Sequence, residues 1–219
     1  MDTPWWKDRH QAVLRRLKQG SADLLLVGDS ITMDLERRGP IPEMDFGPVW
    51  QRFYAPRNAV NLGFKGDSTA HLQWRLQNGE LDGIAPRAAQ VLIGANNFGR
   101  AHWGAADSFA GIEAVLAEMH KRLPRTRVLL LGVLPSVRSA WVDENTAALN
   151  RMLADRFKQG GDVTYVDVSS FFRRNGAVDT EAFYDGKLTP PEPALHPTAQ
   201  AHARAAEYLA PILSRLMGS

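Results

Sequence analysis

An α/β protein is expected from this chain, a parallel, doubly wound sheet of five strands with helices between them. Three observations carry this expectation. Five short runs are continuously apolar, amphipathic stretches separate them, and 219 residues without linker, repeat or low-complexity tract suit one large domain spanning 1–219. Strands buried on both faces have no wet side, so they read as unbroken apolar runs. These runs fall at 24–27, 59–62, 90–93, 128–133 and 163–168. Helical patterns cover 5–19, closed by Gly20 and expected to pack on the domain, and 69–77, closed near Gly79. Further patterns cover 108–122, ended by Pro124, and 143–158, ended by Gly160 and Gly161. Glycine just past a helix and proline soon after it are stop signals. A last helix from about 198 to 216 starts beside Pro197.

Composition excludes several classes. With no cysteine there are no disulfides, thiolate nucleophiles or cysteine-held metals. A net charge of +2, with both signs interspersed, gives no reason to expect nucleic acid. No apolar run approaches the ~20 residues that a membrane-spanning helix needs. Met1 to Trp6 lack the basic start and apolar stretch of a secretory signal, and cytoplasm and periplasm both stay open.

Doubly wound sheets bind ligands outside the carboxyl ends of their strands. The first three strands each run into a cluster of small residues there. Gly28-Asp29-Ser30-Ile31-Thr32 follows the first, Gly63-Phe64-Lys65-Gly66-Asp67-Ser68-Thr69 the second, and Gly94-Ala95-Asn96-Asn97 the third. Ser30, between a strand and a helix, can attack a carbonyl while its own N–H helps hold the oxyanion. Gly66 offers a second backbone donor and the Asn96 carboxamide a third. Of six histidines, His196 is the best candidate base. It ends the proline-rich stretch 187–197, on the same sheet edge, just before the last helix. His10, His71, His120 and His202 fall within helical patterns, where a packed or solvated imidazole is the plainer reading. Each Gly-Asp-Ser, at 28–30 and 66–68, read alone is an ordinary turn followed by a helix cap. No Walker A loop, G-x-G-x-x-G or G-x-S-x-G is present.

That ordered set of serine, glycine, asparagine and histidine resembles the GDSL, or SGNH, hydrolase superfamily from about Leu24 to Ala210. Leu195-His196-Pro197 supplies its last block. The stretch 66–100, with Trp74-Arg75-Leu76-Gln77-Asn78-Gly79-Glu80-Leu81, is similar to the catalytic subunits of intracellular platelet-activating-factor acetylhydrolases and to related bacterial esterases. The resemblance implies a flavodoxin-like three-layer α/β/α fold and hydrolysis of short acyl esters, acetyl above all, of a carbohydrate, polysaccharide or lipid. It implies Ser30 as nucleophile, His196 as base, and Ser30, Gly66 and Asn96 as oxyanion donors, with no metal or other cofactor. A homodimer is the assembly it suggests. The family usually carries Asp three residues before the histidine, where this chain has Pro193. Glu192 is taken as the acid, its extra methylene offsetting the shift. Asp185, if 187–194 loops out, and a Ser–His dyad oriented by a main-chain carbonyl are the alternatives. A catalytically impaired binding protein and an acyltransferase using the same residues are the competing functions.

Overall fold

Alternate residues of a strand face opposite sides of a sheet, and here both sides are covered. The computed structural model describes residues 3–218. Strands β1 (Leu24–Gly28), β2 (Ala59–Gly63), β3 (Ala88–Leu92), β4 (Arg127–Leu131) and β5 (Val163–Val166) form one parallel sheet in the order β2-β1-β3-β4-β5. Leu25 and Val27 of β1 enter one apolar cluster, with Trp6, Leu72, Ile112 and Leu149. Leu24 and Leu26 enter the other, with Phe46, Leu209 and Leu213. The helices in chain order are α1 (Pro4–Lys18), α2 (Ser30–Met33), α3 (Gly47–Val49), α4 (Thr69–Arg75), α5 (Ala95–Gly99), α6 (Ala105–Arg122), α7 (Ala140–Phe157) and α8 (Ala199–Met217). α1, α4, α6 and α7 cover the first face, and α2, α3 and α8 the second. This is the expected three-layer arrangement, and its strand order is that of flavodoxin-like folds. No helix among the described residues is long and apolar enough to cross a membrane.

All five expected strands and helices are present, with shifted ends. α6 begins three residues before the expected 108, because the Asn145 side chain accepts the Ala105 N–H at 2.9 Å. α7 likewise begins at Ala140, capped by the Ser139 hydroxyl, which accepts from the Val142 N–H. β5 stops at Val166 and is only half-buried, as befits the sheet edge. No expected element covers the short turns between Asp34 and Arg57, where Gly39-Pro40 and Gly47-Pro48 break the chain. They place Leu35, Met44, Phe46, Phe53 and Tyr54 under α8.

A fully buried guanidinium organises the carboxyl edge of the sheet. Arg75 Nε donates to Asp67 Oδ2 at 2.8 Å, and Nη1 meets Glu80. Nη2 donates to the carbonyls of Leu62, at 3.1 Å, and Gly28, at 3.4 Å. These carbonyls lie at the carboxyl ends of β2 and β1, and that of Gly28 also accepts the Phe64 N–H at 3.2 Å. The group lies 3.8 Å over the Phe64 ring, and Trp6 Nε1 donates to the second oxygen of Asp67 at 2.8 Å. Burial pushes the Glu80 carboxyl up to about 7, against the pull of Arg75. Removing one partner of such a network strands the others without water or counter-charge. Arg75→Met should therefore destabilise the fold by about 3–5 kcal/mol, read as a lower urea midpoint at unchanged m-value. A loss below ~1 kcal/mol would show that the network is not needed for folding.

Candidate active site

The site lies where the strand order reverses, between β1 and β3, outside their carboxyl ends. Ser30 is the first residue of α2, with Asp29 as its cap, the Asp29 Oδ1 accepting from the Ile31 N–H at 3.0 Å. The N-terminal amides of that turn face away from the strand, as at any helix start. Ser30 Oγ is 3.0 Å from His196 Nε2. His196 Nδ1 is 2.6 Å from Asp185 Oδ1. An ionised carboxylate accepts only, which fixes the proton on Nδ1 and leaves Nε2 to accept from the serine hydroxyl.

Asp185, not the expected Glu192, therefore stands at the imidazole. The physical reason is the path of the chain. Residues 182–184 run antiparallel to 196–198, the Tyr184 N–H donating to the His196 carbonyl at 3.0 Å and the Thr198 N–H to the Ala182 carbonyl at 2.8 Å. That pairing sets Asp185 beside His196 and makes 186–195 an excursion between them. Asp185 Oδ2 accepts the main-chain N–H of both Leu195, at 2.8 Å, and His196, at 2.6 Å. One buried carboxylate thus holds the ring and the backbone that carries it. Glu192 sits on the rim between Pro191 and Pro193, its N–H donating to the Asp185 carbonyl at 3.0 Å.

Ser30, Gly66, Asn96, Asp185 and His196 line one cleft of about 400 Å³. Gly66 has φ +85, a backbone conformation that side chains rarely adopt, and this turns the 64–67 loop toward the cleft. One hydrogen of the Asn96 amide donates to the Asp67 carbonyl at 3.0 Å, locking the carboxamide while leaving its second hydrogen for a ligand. Asn97 clamps the next helix, its oxygen accepting the Thr69 N–H and its nitrogen donating to the Thr69 hydroxyl, both at 2.9 Å. Ser68, in the second Gly-Asp-Ser, caps α4 with His71, 2.8 Å from its Nδ1. Trp141 is partly exposed and packs on His102 at 4.8 Å between centroids; neither ring lines the cleft.

Sequence reasoning missed Tyr184 and Asp34. The Tyr184 ring stacks on His196 at 5.5 Å and an interplanar angle of 14°. Its hydroxyl donates to Asp34 Oδ2 and accepts from Arg37 Nη1, each at 2.5 Å. No local signal could have found this, since the partners are 150 and 147 residues apart. Burial works to lower the His196 pKa, but the Asp185 hydrogen bond and the charges of Asp185, Asp34 and Asp29 outweigh it and leave it above the usual 6.5. Burial pushes Asp29 up to about 7.

Comparison with known proteins accords with this geometry. A model of the GDSL-like lipase/acylhydrolase family matches residues 26–204, and the chain belongs to that family. It is a carboxylic ester hydrolase. The chain is 27% identical over 215 residues to the rat platelet-activating factor acetylhydrolase IB subunit alpha2, covering 97% of this chain and 85% of that one. It is 33% identical over 130 residues to the bovine alpha1 subunit, covering 59% of this chain and 51% of that one. Among solved structures it resembles a GDSL-like lipase from Bacteroides thetaiotaomicron, with TM-score 0.69 and 14% identity over 95% of this chain and 97% of that one. It also resembles a catalytic mutant of an acetylxylan esterase from Geobacillus stearothermophilus, with TM-score 0.60 and 20% identity over 91% of this chain and 96% of that one.

The geometry has a signature in the imidazole itself. Because the Asp185 anion favours the imidazolium, Asp185→Asn should lower the His196 pKa, and Glu192→Gln should leave it nearly unmoved. Histidine ring chemical shifts followed against pH check this, and the reverse ranking would return the acid to Glu192.

Proposed function

We propose that the protein is a serine esterase that removes short acyl groups, acetyl above all, from a carbohydrate, polysaccharide or lipid alcohol. The observation that carries the reading is the chain of contacts from Ser30 Oγ to His196 Nε2, at 3.0 Å, and from His196 Nδ1 to Asp185, at 2.6 Å. His196 takes the hydroxyl proton as Ser30 Oγ bonds to the ester carbon. The carbonyl oxygen becomes an oxyanion held by the N–H groups of Ser30 and Gly66 and by the Asn96 amide. As the tetrahedral adduct collapses, the ester C–O bond breaks and His196 returns the proton to the departing alcohol. Water then attacks the acyl-serine, giving its proton to His196, and the acid leaves as Ser30 regains its hydrogen. Asp185 orients the ring and stabilises the imidazolium at each proton transfer.

The preference for a small acyl group is supported by the relatives, whose names include an acetylhydrolase and an acetylxylan esterase. The alternative of an impaired binding protein rests on Pro193 in the place of the acid. Asp185, 2.6 Å from the imidazole, offers the acid that this alternative takes to be missing and so favours the esterase reading.

An activated acetyl ester should be hydrolysed by the wild type and not by Ser30→Ala; equal rates would end the esterase reading. Asp185→Asn should cut turnover roughly 10⁴-fold, whereas Glu192→Gln should stay within about tenfold of the wild type. A serine-directed phosphonate should add its mass to the peptide containing Ser30, and labelling at Ser68 would move the nucleophile. The base must be neutral to accept a proton. With its pKa raised, kcat/KM should fall as pH drops through a value above 6.5, and a limb at or below 6.5 would contradict the field described around His196.

A further inference from the structure

The cleft holds more positive charge than its own acids use. Arg37 is committed to the Tyr184 hydroxyl at 2.5 Å and lies 3.4 Å from Asp34. Asp185 is saturated by His196 and Leu195. Three other cations line the cleft with no carboxylate partner among the described residues. Lys65 and Arg100 are exposed, and their side chains make no hydrogen bond or ion pair there. Arg138 is anchored on one side only, Nη2 donating to the Ala95 carbonyl at 2.9 Å and Nε to the Ser136 hydroxyl at 3.1 Å. Its Nη1 has no hydrogen-bond acceptor among the described residues. Against these three stands the Glu192 carboxylate on the rim.

The backbone makes room for these groups. A Cβ on Gly99 would collide with Arg138 Nη1, although Gly99 lies in α5 with no positive φ to demand glycine. A Cβ on Gly66 would sit 3.3 Å from Arg100 Nη1, so that guanidinium lies against the oxyanion loop. Burial lowers the Arg138 pKa, the charges of Asp29 and Asp185 offset part of that, and Arg100 adds a smaller lowering by repulsion. The Ser136 hydroxyl donates to the Ala194 carbonyl at 2.9 Å, two residues before the base, which ties the Arg138 loop to the loop that carries His196. Like charges that lack an ion-pair partner beside a reacting centre are stabilised when an anion enters between them. Guanidinium groups match the flat, two-oxygen face of carboxylate and phosphate.

Resting on the esterase reading above, we infer that the substrate is an ester whose alcohol portion carries an oxyanion, a carboxylate or a phosphate. Lys65, Arg100 and Arg138 hold that group while the short acyl carbonyl occupies the donors of Ser30, Gly66 and Asn96. The charge lies on the alcohol side because the acyl group is too small to reach both the donors and the cations.

The test compares 4-acetoxybenzoate and 4-acetoxyphenyl phosphate with the neutral methyl 4-acetoxybenzoate, each kcat/KM divided by that ester's rate of alkaline hydrolysis. The wild type should favour at least one anionic ester by about tenfold or more, through a lower KM. The carboxylate and phosphate arms tell the two anions apart. In Arg100→Gln and in Lys65→Gln the ratio of anionic to neutral ester should fall severalfold, and rising salt should erode it in the wild type. No preference for either anion, or a preference that persists in both variants, overturns the inference and leaves the esterase reading standing. Hydrolysis of none of the three esters, with no phosphonate on Ser30, overturns the esterase reading and this inference with it.

Discussion

A cation with no access to water holds the working edge of this molecule together. Moving a guanidinium out of water is costly, and it is tolerated only where every donor finds an acceptor. Arg75 nearly meets that condition, with four hydrogen bonds to two carboxylates and to the carbonyls of Gly28 and Leu62. The consequence reaches the site. Asp67, fixed by Arg75 and by Trp6 of α1, offers its main-chain carbonyl to the Asn96 amide. The 64–67 loop and the Asn96 amide are therefore registered against one buried charge. α1 precedes the first strand in sequence, yet through Trp6 it is part of this scaffold.

The second constraint is the doubled use of Asp185. A carboxylate bonded only to an imidazole would orient the ring and leave its backbone free to drift. Here the same carboxylate takes the N–H groups of Leu195 and His196, so ring and main chain move as one body. Preorganisation of this kind matters for the proposed proton transfers, which depend on a hydrogen bond between groups 166 residues apart in the chain. The antiparallel pairing of 182–184 with 196–198 closes the loop between acid and base, and the prolines of that loop stiffen its excursion.

Charges of both signs surround the cleft. Behind the imidazole, Asp185, Asp34 and Asp29 favour a proton on His196. Lys65, Arg100 and Arg138 bring the opposite sign to the same cleft. In the proposed reaction a negative environment suits the imidazolium that forms, and in the inference drawn from the cations a positive one suits an anion on the substrate.

Local signals were enough for the sheet, the order of its layers and four of the groups in the cleft. Strand burial shows as unbroken apolar runs, helix ends as glycine and proline, and Ser30, Gly66, Asn96 and His196 as small or polar residues where strands stop. Each of these is carried by a residue and its near neighbours. The folded chain alone reveals that Asp185 meets the imidazole, that Tyr184 stacks on it, and that three cations stay unneutralised. Spacing from the histidine favoured Glu192 because sequence distance stands in for spatial distance only within a continuous element. In 185–196 the chain leaves and returns, so the residue eleven positions away arrives first. Pairing and solvent access belong to the path of the whole chain, and no window of sequence contains them.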